Sequence, residues 1–164
     1  MIITVKKNII FIDEFKLKCT IGKAGIKNKL REGDKITPKG FFNIGDLYYR
    51  SDRTNAVKTN LKTITIKKNM GWCHDPLSKK YNRLIRNFHK FKYKYETLYR
   101  KDHKYDFIIP IKYNYKKPIK NKGSAIFLHL TKNYKPTAGC IAVKKKDFLI
   151  ILKFLKKNTK VRII

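Results

Sequence analysis

Two side chains in this sequence have the types and spacing of a nucleophile and a base. His129 lies inside the short apolar run 125–130, and Cys140 follows ten residues later, after the turn-forming segment 132–137. A thiol with a pKa near ~8.5 is mostly protonated at neutral pH, so a nucleophilic cysteine needs a nearby imidazole or another positive field. If the chain reverses between the two residues, His129 can activate Cys140 for acyl transfer through a thioester.

Short strands are predicted to position this pair. Along 125–130 a strand puts Phe127, His129 and Thr131 on one face, and a second strand begins at Cys140. Gly139 lets a substrate carbonyl approach the backbone, so the N–H groups of Gly139 and Cys140 are predicted to form an oxyanion hole. The same two residues are also compatible with a purely structural role, as a buried cysteine and a core histidine whose ring nitrogens are hydrogen-bonded.

The sequence around the pair resembles the L,D-transpeptidase catalytic domain family, also called YkuD-type. The resemblance rests on G-S-A-I-F-L-H-L (123–130) and P-T-A-G-C-I-A-V (136–143), since members carry a histidine at a strand end, then a loop, a small residue, glycine and the catalytic cysteine. It extends to T-P-K-G-F-F (37–42) and G-W-C-H-D-P (71–76). Almost the whole chain, about residues 15–155, is covered.

The resemblance implies both a fold and an activity. The fold is mainly β (α+β), a β-sandwich-like structure with a packed C-terminal helix, in a single domain over 1–164. The activity is that of a cysteine acyltransferase on peptidoglycan stem peptides, with Cys140 as nucleophile and His129 as proton donor and acceptor. Water as the acceptor would make the same site a carboxypeptidase or another hydrolase. The polar residues expected at the substrate cleft, or else in structural salt bridges and turns, are Thr137, Arg100, Asp75, Asn82, Glu96 and Asp102.

The chain departs from the family pattern at two positions beside the nucleophile. Many members carry a second histidine where this chain has Ala138, and an arginine or asparagine where it has Ala142. The role of general base therefore falls on His129 alone. No cofactor is expected, and a metal site at 73–75 is disfavoured because no second ligand cluster with zinc spacing accompanies it.

The net charge raises a competing function. The chain has 41 Lys plus Arg against 11 Asp plus Glu, a net charge of +30. Such a charge suits nucleic acid. However, the lysines are scattered through every segment and arginine is scarce, which disfavours specific nucleic-acid recognition. A basic module that binds polyanions without catalysis, or non-specific attraction to anionic envelope polymers or lipid surfaces, stays open.

Localisation is not settled by the sequence. The N-terminal segment predicts a strand pair at 2–5 and 9–12, because its apolar runs are shorter than the core of a signal peptide. No run approaches the ~18 apolar residues of a membrane span. The resemblance implies the cell envelope or periplasm, whereas the absence of a visible export signal leaves the cytoplasm open. Cys19 and Cys73 are expected to be free thiols.

Hydrophobic periodicity predicts the remaining elements. Strands are predicted at 41–49, 61–67, 105–113 and 161–164, and Pro110 places the third of these near a sheet edge. Phe88, Phe91, Tyr95 and Leu98 favour a helix, although 91, 93 and 95 also alternate. Phe148, Ile151, Leu152 and Leu155 have the spacing of an amphipathic C-terminal helix, with Asp147 near its start.

Overall fold

Short β-strands make up most of the regular structure. The computed structural model describes residues 1–164, apart from the side chain of His89. The strands are β1 (Ile2–Lys6), β2 (Ile9–Ile12), β3 (Phe15–Thr20), β4 (Ile26–Lys27), β5 (Thr37–Pro38), β6 (Gly40–Asn43), β7 (Leu47–Tyr49), β8 (Thr63–Thr65), β9 (Met70–Cys73), β10 (Arg83–Arg86), β11 (Tyr95–Thr97), β12 (Phe107–Pro110), β13 (Phe127–Leu130), β14 (Ile141–Val143) and β15 (Lys160–Ile163). One α-helix, α1 (Lys145–Phe154), lies among the described residues. The predicted mainly β (α+β) fold is confirmed.

A ten-stranded sheet dominates the fold and is curled. Its order is β6-β15-β1-β2-β3-β14-β13-β12-β7-β8. The three residues 44–46 connect β6, at one edge, to β7, next to the other edge. So short a link requires the two ends of the sheet to approach each other. An isolated bridge between Ile44 and Ile111 lies at this junction. The sheet therefore has an inner and an outer face.

The inner face surrounds the main core. Alternate strand residues such as Val5, Ile10 and Leu128 point into it, and α1 buries Phe148 and Leu152 among them. Each such side chain contributes about 1.5–3 kcal/mol relative to exposure. The predicted amphipathic helix packed on the sheet is confirmed. So are the N-terminal strand pair and the C-terminal strand, since β1 pairs with β2 on one side and with β15 on the other.

The outer face carries a second, smaller cluster, covered by the three-stranded sheet β10-β9-β11. Trp72 of β9 packs edge-on against Phe127 of β13, with 5.2 Å between ring centroids. Phe127 belongs to this second cluster, whereas Leu128 belongs to the main core. The predicted alternation of faces along this strand is therefore confirmed, and it places the residues on the Phe127 side under the small sheet.

The helix predicted over 88–98 is wrong. The chain instead makes a 3₁₀ turn at Phe88–Lys90 and then enters β11. Across the small sheet Glu96 pairs with Trp72, so β11 hydrogen-bonds to β9 on the side opposite β10. The alternation of aromatic residues at 91, 93 and 95 was the correct signal, because pairing with β9 outweighs the helical spacing.

The strand predicted at 41–49 is two strands, β6 and β7. At the break, Gly45 N–H donates to Pro110 O at 2.7 Å, so the chain leaves β15 and joins β12 there. The prediction that Pro110 marks a sheet edge is wrong, because β12 lies between β13 and β7. Pro110 is the last residue of β12, where its missing N–H interrupts only the end of the ladder.

The strand predicted at 61–67 is shortened to β8, at the edge of the large sheet. In the part of the chain that the structure describes, no helix has the length and apolar character that crossing a bilayer requires.

Candidate active site

The two strands that carry the predicted pair run parallel. β13 and β14 pair with His129 opposite Ala142. The predicted single reversal before Cys140 is therefore wrong, because the segment 131–140 turns back and then re-enters the sheet in the original direction. Side chains alternate along a strand, so Cys140, two residues before Ala142, faces the same side as His129. The register makes the two residues diagonal neighbours on the outer face.

A cleft of about 300 Å³ opens on this outer face, and both His129 and Cys140 line it. Ala142 and Thr137 also line this cleft. The other lining residues that bear on the chemistry are Lys29, Glu32, Glu96, Arg100, Lys104, Tyr105, Ser124, Ala125, Thr131, Lys132 and Lys135. Lysine and arginine outnumber carboxylates along this lining, so the cleft suits a substrate that carries negative charge.

The thiol of Cys140 is buried and hydrogen-bonded. Its Sγ accepts from Phe127 N–H at 3.3 Å and donates to Ala125 O at 3.2 Å, and the residue is 9% exposed. The pKa of Cys140 is raised to about 12, mainly by burial and secondly by the nearby Glu96 carboxylate, while Phe127 N–H and the Lys29 ammonium oppose the shift. In the resting protein Cys140 is therefore a neutral thiol.

His129 is held in one orientation. Its Nδ1 lies 2.8 Å from Leu130 O, and since a carbonyl only accepts, Nδ1 carries the proton. Tyr105 packs edge-on against the ring, with 5.2 Å between centroids. The pKa of His129 is lowered to about 4, mainly by burial and also by the positive charges of Lys104 and Arg100, while the hydrogen bond to Leu130 O opposes the shift. A neutral imidazole with an unprotonated Nε2 is therefore available as a base at neutral pH.

The loop before Cys140 is fixed by Thr137. Thr137 Oγ1 donates to Cys140 O at 2.6 Å and accepts from Gly139 N–H at 3.1 Å. The Gly139 N–H therefore already has a partner in the resting protein. Gly139 has φ +140°, and a Cβ there would lie 2.9 Å from Ile36 O, so the position requires glycine. Thr137 therefore holds the loop together, and Gly139 allows the close packing behind Cys140.

Arg100 and Glu96 lie in one charged network. The guanidinium of Arg100 forms two hydrogen bonds with Asp102, at 2.8 and 2.7 Å, and its Nη1 is 3.8 Å from Glu96 Oε1. Tyr105 O–H donates to the same Glu96 oxygen at 2.6 Å. Arg100 and Glu96 side chains are each 30% exposed, so both can meet a substrate. The Arg100 guanidinium holds the pKa of Asp102 at about 2.

The structure does not bring Asp75 and Asn82 into the lining of the cleft. The Asp75 carboxylate accepts the backbone N–H groups of Leu77 and Lys94, both at 3.0 Å, which lower its pKa. Such contacts organise the turns that flank β9.

Asn82 uses its whole amide in hydrogen bonds. Oδ1 accepts from Trp72 Nε1 at 2.9 Å and from Ala125 N–H at 3.0 Å, and Nδ2 donates to the carbonyls of Tyr113 and Asn114. Ala125 has φ +51°, an unfavourable conformation for a residue with a side chain. Ala125 O in turn accepts the hydrogen bond of the Cys140 thiol. Asn82 therefore helps to position Cys140 by holding the backbone of Ala125 in place.

Replacing Asn82 with alanine is expected to destabilise the protein by about 3–4 kcal/mol, because buried partners lose their hydrogen bonds. Asn133 is a matched control, since it is exposed and has φ +56° against +55° for Asn82. Asn133→Ala should cost only about 1 kcal/mol for the backbone conformation. Urea unfolding of both variants measures the difference, and equal losses would contradict the supporting role of Asn82.

Several cleft residues were missed by the sequence analysis. The sequence places Tyr105 at the start of a strand. In the structure it ends the 3₁₀ turn His103–Tyr105, and its ring packs against the ring of His129. Thr131 was placed on the correct face, but its Oγ1 is buried without a hydrogen-bond partner among the described residues. Glu32 accepts both Tyr81 O–H and Ser124 O–H. None of these has a local sequence signal, because their positions depend on contacts between segments far apart in the chain.

The cleft lining brings together the groups of nucleophilic chemistry, a thiol and a neutral imidazole. No group of three or more His, Cys, Asp or Glu side chains with the geometry of a metal site occurs among the described residues. Cys19 and Cys73 are buried free thiols that do not line the cleft.

These features describe a mainly β domain in which a buried cysteine and a neutral histidine on adjacent parallel strands share one open cleft. Residues 11–163 match the model of the YkuD family, the L,D-transpeptidase catalytic domain. The chain therefore belongs to the YkuD family of L,D-transpeptidase catalytic domains. No curated protein and no solved structure matches it. The family consists generally of acyltransferase-type enzymes and is typically associated with the cell envelope.

Proposed function

We propose that this protein is a cysteine-dependent L,D-transpeptidase that acts on peptidoglycan stem peptides at the cell envelope. The observation that carries the proposal is the shared cleft, in which the Cys140 thiol and the unprotonated Nε2 of His129 lie on one face of β13 and β14. The positive lining of the same cleft suits stem peptides, which are rich in carboxylates.

The reaction begins with a proton transfer. The thiol proton, which Cys140 Sγ donates to Ala125 O in the resting protein, moves to His129 Nε2 as Sγ attacks the carbonyl of an L,D peptide bond. The S–C bond forms, and the tetrahedral oxyanion collapses with loss of the C-terminal D-amino acid, whose nitrogen takes the proton from His129. An acceptor amine then attacks the thioester carbonyl and gives a proton to His129. The C–S bond breaks, and the departing Sγ takes that proton from His129, which restores the thiol and the neutral imidazole.

The predicted oxyanion hole has one immediate donor and one that must be released. The Cys140 N–H is proposed to bind the oxyanion directly. Gly139 N–H donates to Thr137 Oγ1 in the resting protein, so it can contribute only if that bond lengthens when substrate binds. Catalytic hydrogen bonds often tighten only in the substrate complex, so the resting geometry is compatible with this role.

Arg100, Glu96 and Thr137 are proposed to contact substrate inside the cleft, whereas Asp75 and Asn82 act through the turns that they organise. Arg100 retains exposed donors that suit a substrate carboxylate. Lys104 lies in the same lining and offers a further cation to the substrate.

A muropeptide assay tests the proposed function. The protein is incubated with a tetrapeptide stem and an acceptor amine, and products are resolved by mass spectrometry. A cross-linked product with release of the terminal D-amino acid is expected. Release of the D-amino acid with only water added would replace the transferase by a carboxypeptidase on the same site. No turnover, with binding to polyanions that survives Cys140→Ala, would leave a non-catalytic basic module.

A further inference from the structure

The outer face of the large sheet continues beyond the cleft onto β3, β2, β1, β15 and β6. Residues of β3 and β14 pair directly, with Thr20 opposite Ala142 of the cleft lining, so Lys18 and Lys16 point to the same side as the cleft. The outward positions of these five strands that are not buried, here named the basic sheet face, are Ile2, Thr4, Lys6, Ile9, Phe11, Lys16, Lys18, Phe41, Asn43, Lys160 and Arg162.

The basic sheet face combines cations with exposed apolar side chains. Five of its positions are cations and none is a carboxylate. Four positions are large and apolar, and among them Ile2 is 54% exposed, Phe41 49% and Ile9 40%. No described part of the chain covers these side chains, so they lie open to solvent or to a partner.

Cations and apolar side chains alternate across the strands. Ile2 lies opposite Lys160, and Ile9 lies opposite Lys18. Phe41 lies opposite Arg162, and the Lys160 ammonium is 5.1 Å from its ring centroid. Each of these apolar side chains therefore stands beside a positive charge on the neighbouring strand.

We propose that the basic sheet face binds the surface of a bilayer that contains anionic phospholipid. The ammonium and guanidinium groups meet headgroup phosphates, and each contributes about 1 kcal/mol near such a surface. Ile2, Ile9 and Phe41 enter the boundary between headgroups and acyl chains, where apolar side chains are favoured. A soluble polyanion would use the cations alone and leave the apolar side chains in water. A second copy of the chain would bring like charges together.

The basic sheet face borders the cleft through the loop between the two catalytic residues. The Lys18 ammonium lies 4.6 Å from the ring centroid of Tyr134, which belongs to the segment 131–140. Binding to a membrane would therefore place the rim of the cleft close to the lipid surface. The proposal depends on the sheet and its charges, not on the proposed catalytic activity.

Flotation with lipid vesicles tests the proposal. Vesicles of phosphatidylcholine with about 30 mol% phosphatidylglycerol should bind the protein, and pure phosphatidylcholine should not. Lys16→Gln/Lys160→Gln removes two charges from the face and should lower the partition coefficient about 25-fold. The exposed pair Lys116 and Lys117 lies outside the face and gives a matched control. Lys116→Gln/Lys117→Gln should change partitioning by less than about two-fold, since charge at a distance is screened. Equal losses in both variants would overturn the proposal in favour of diffuse charge.

An apolar variant separates lipid from soluble polyanions. Ile2→Ser/Phe41→Ser should lower vesicle partitioning about ten-fold or more, and leave binding to heparin unchanged, because only the lipid surface accepts these side chains. Vesicle binding equal to that of the unmodified protein would overturn the proposal and assign the face to a polyanion. Ile2→Ser/Ile9→Ser replaces the first variant if thermal unfolding shows that Phe41→Ser has destabilised the sheet.

Discussion

If Cys140 is the nucleophile, the protein is expected to form a covalent adduct with a carbapenem, whose lactam carbonyl is an acyl donor to a thiol. Replacing Cys140 with alanine is expected to abolish this adduct and to lower turnover of a tetrapeptide stem by at least about 10³-fold. In the adduct the Cys140 Sγ–C bond forms while the lactam C–N bond opens, so the mass increases by that of the whole carbapenem. Intact mass spectrometry measures the adduct, and peptide mapping locates it.

Cys19 provides a matched control for this prediction. Burial raises the pKa of the Cys19 thiol to about 12, as it does for Cys140, but Cys19 lies in the main core and does not line the cleft. Cys19→Ala should therefore keep the adduct and the activity. An adduct that persists in Cys140→Ala, or one that disappears in a folded Cys19→Ala protein, would contradict the assignment of the nucleophile.

The local hydrophobic pattern was sufficient to predict the helices and strands that bury only one of their faces. Phe148, Ile151, Leu152 and Leu155 have helical spacing, and all four are buried against the inner face of the sheet. Along β13 the period of two correctly separated His129 from Leu128, because one side of that strand meets the main core and the other meets the second cluster. The pair of catalytic candidates could therefore be predicted from motif and periodicity.

The pairing of strands could not be predicted in the same way. The turn-rich segment after β13 suggests that the chain reverses and returns antiparallel. In the structure β14 instead runs parallel to β13 and pairs antiparallel with β3. The aromatic run after Phe88 has spacing that suits either a helix or a strand, and only the open edge of β9 decides between them. Such outcomes depend on hydrogen bonds between segments that are distant in the sequence.

The same limit applies to the polar residues of the site. Asn82 and Arg100 look alike in the sequence, since both are polar residues expected either at the substrate cleft or in structural contacts. In the structure Arg100 lines the cleft, whereas the Asn82 amide forms four hydrogen bonds, one with the Trp72 indole and three with backbone groups. A side chain that supports a strained backbone is indistinguishable from one that binds substrate until its partners are known.

The His129→Asn variant is expected to lower the acylation rate about 10²–10⁴-fold, the usual contribution of a general base. Asparagine can keep the hydrogen bond to Leu130 O through its amide, so the loss reports the missing Nε2 rather than a displaced strand. Single-turnover acylation by the carbapenem measures the rate. A variant that is acylated as fast as the unmodified protein would contradict the role of His129.

The pH dependence provides a sharper test, because the resting pair is neutral. With the pKa of His129 at about 4 and that of Cys140 at about 12, acylation should stay level at neutral pH and fall only as the pH approaches 4. Alkylation of Cys140 by iodoacetamide needs the thiolate and should still be rising well above pH 9. A plateau in alkylation by pH 7 would instead indicate a preformed thiolate–imidazolium pair.

Folding stability should follow the same titration. The pKa of His129 is lower in the folded protein than its ordinary 6.5, so the unfolded chain binds the proton more tightly. The contribution of His129 to the free energy of unfolding is therefore complete above pH 6.5. It is lost as the pH falls from 6.5 to about 4, and the total loss is about 3 kcal/mol. His129→Asn cannot bind the proton, so its loss of stability between pH 7 and pH 4 should be smaller by about that amount. Urea unfolding at both pH values gives the comparison, and an unchanged pH dependence in the variant would show that His129 is not buried as a neutral base.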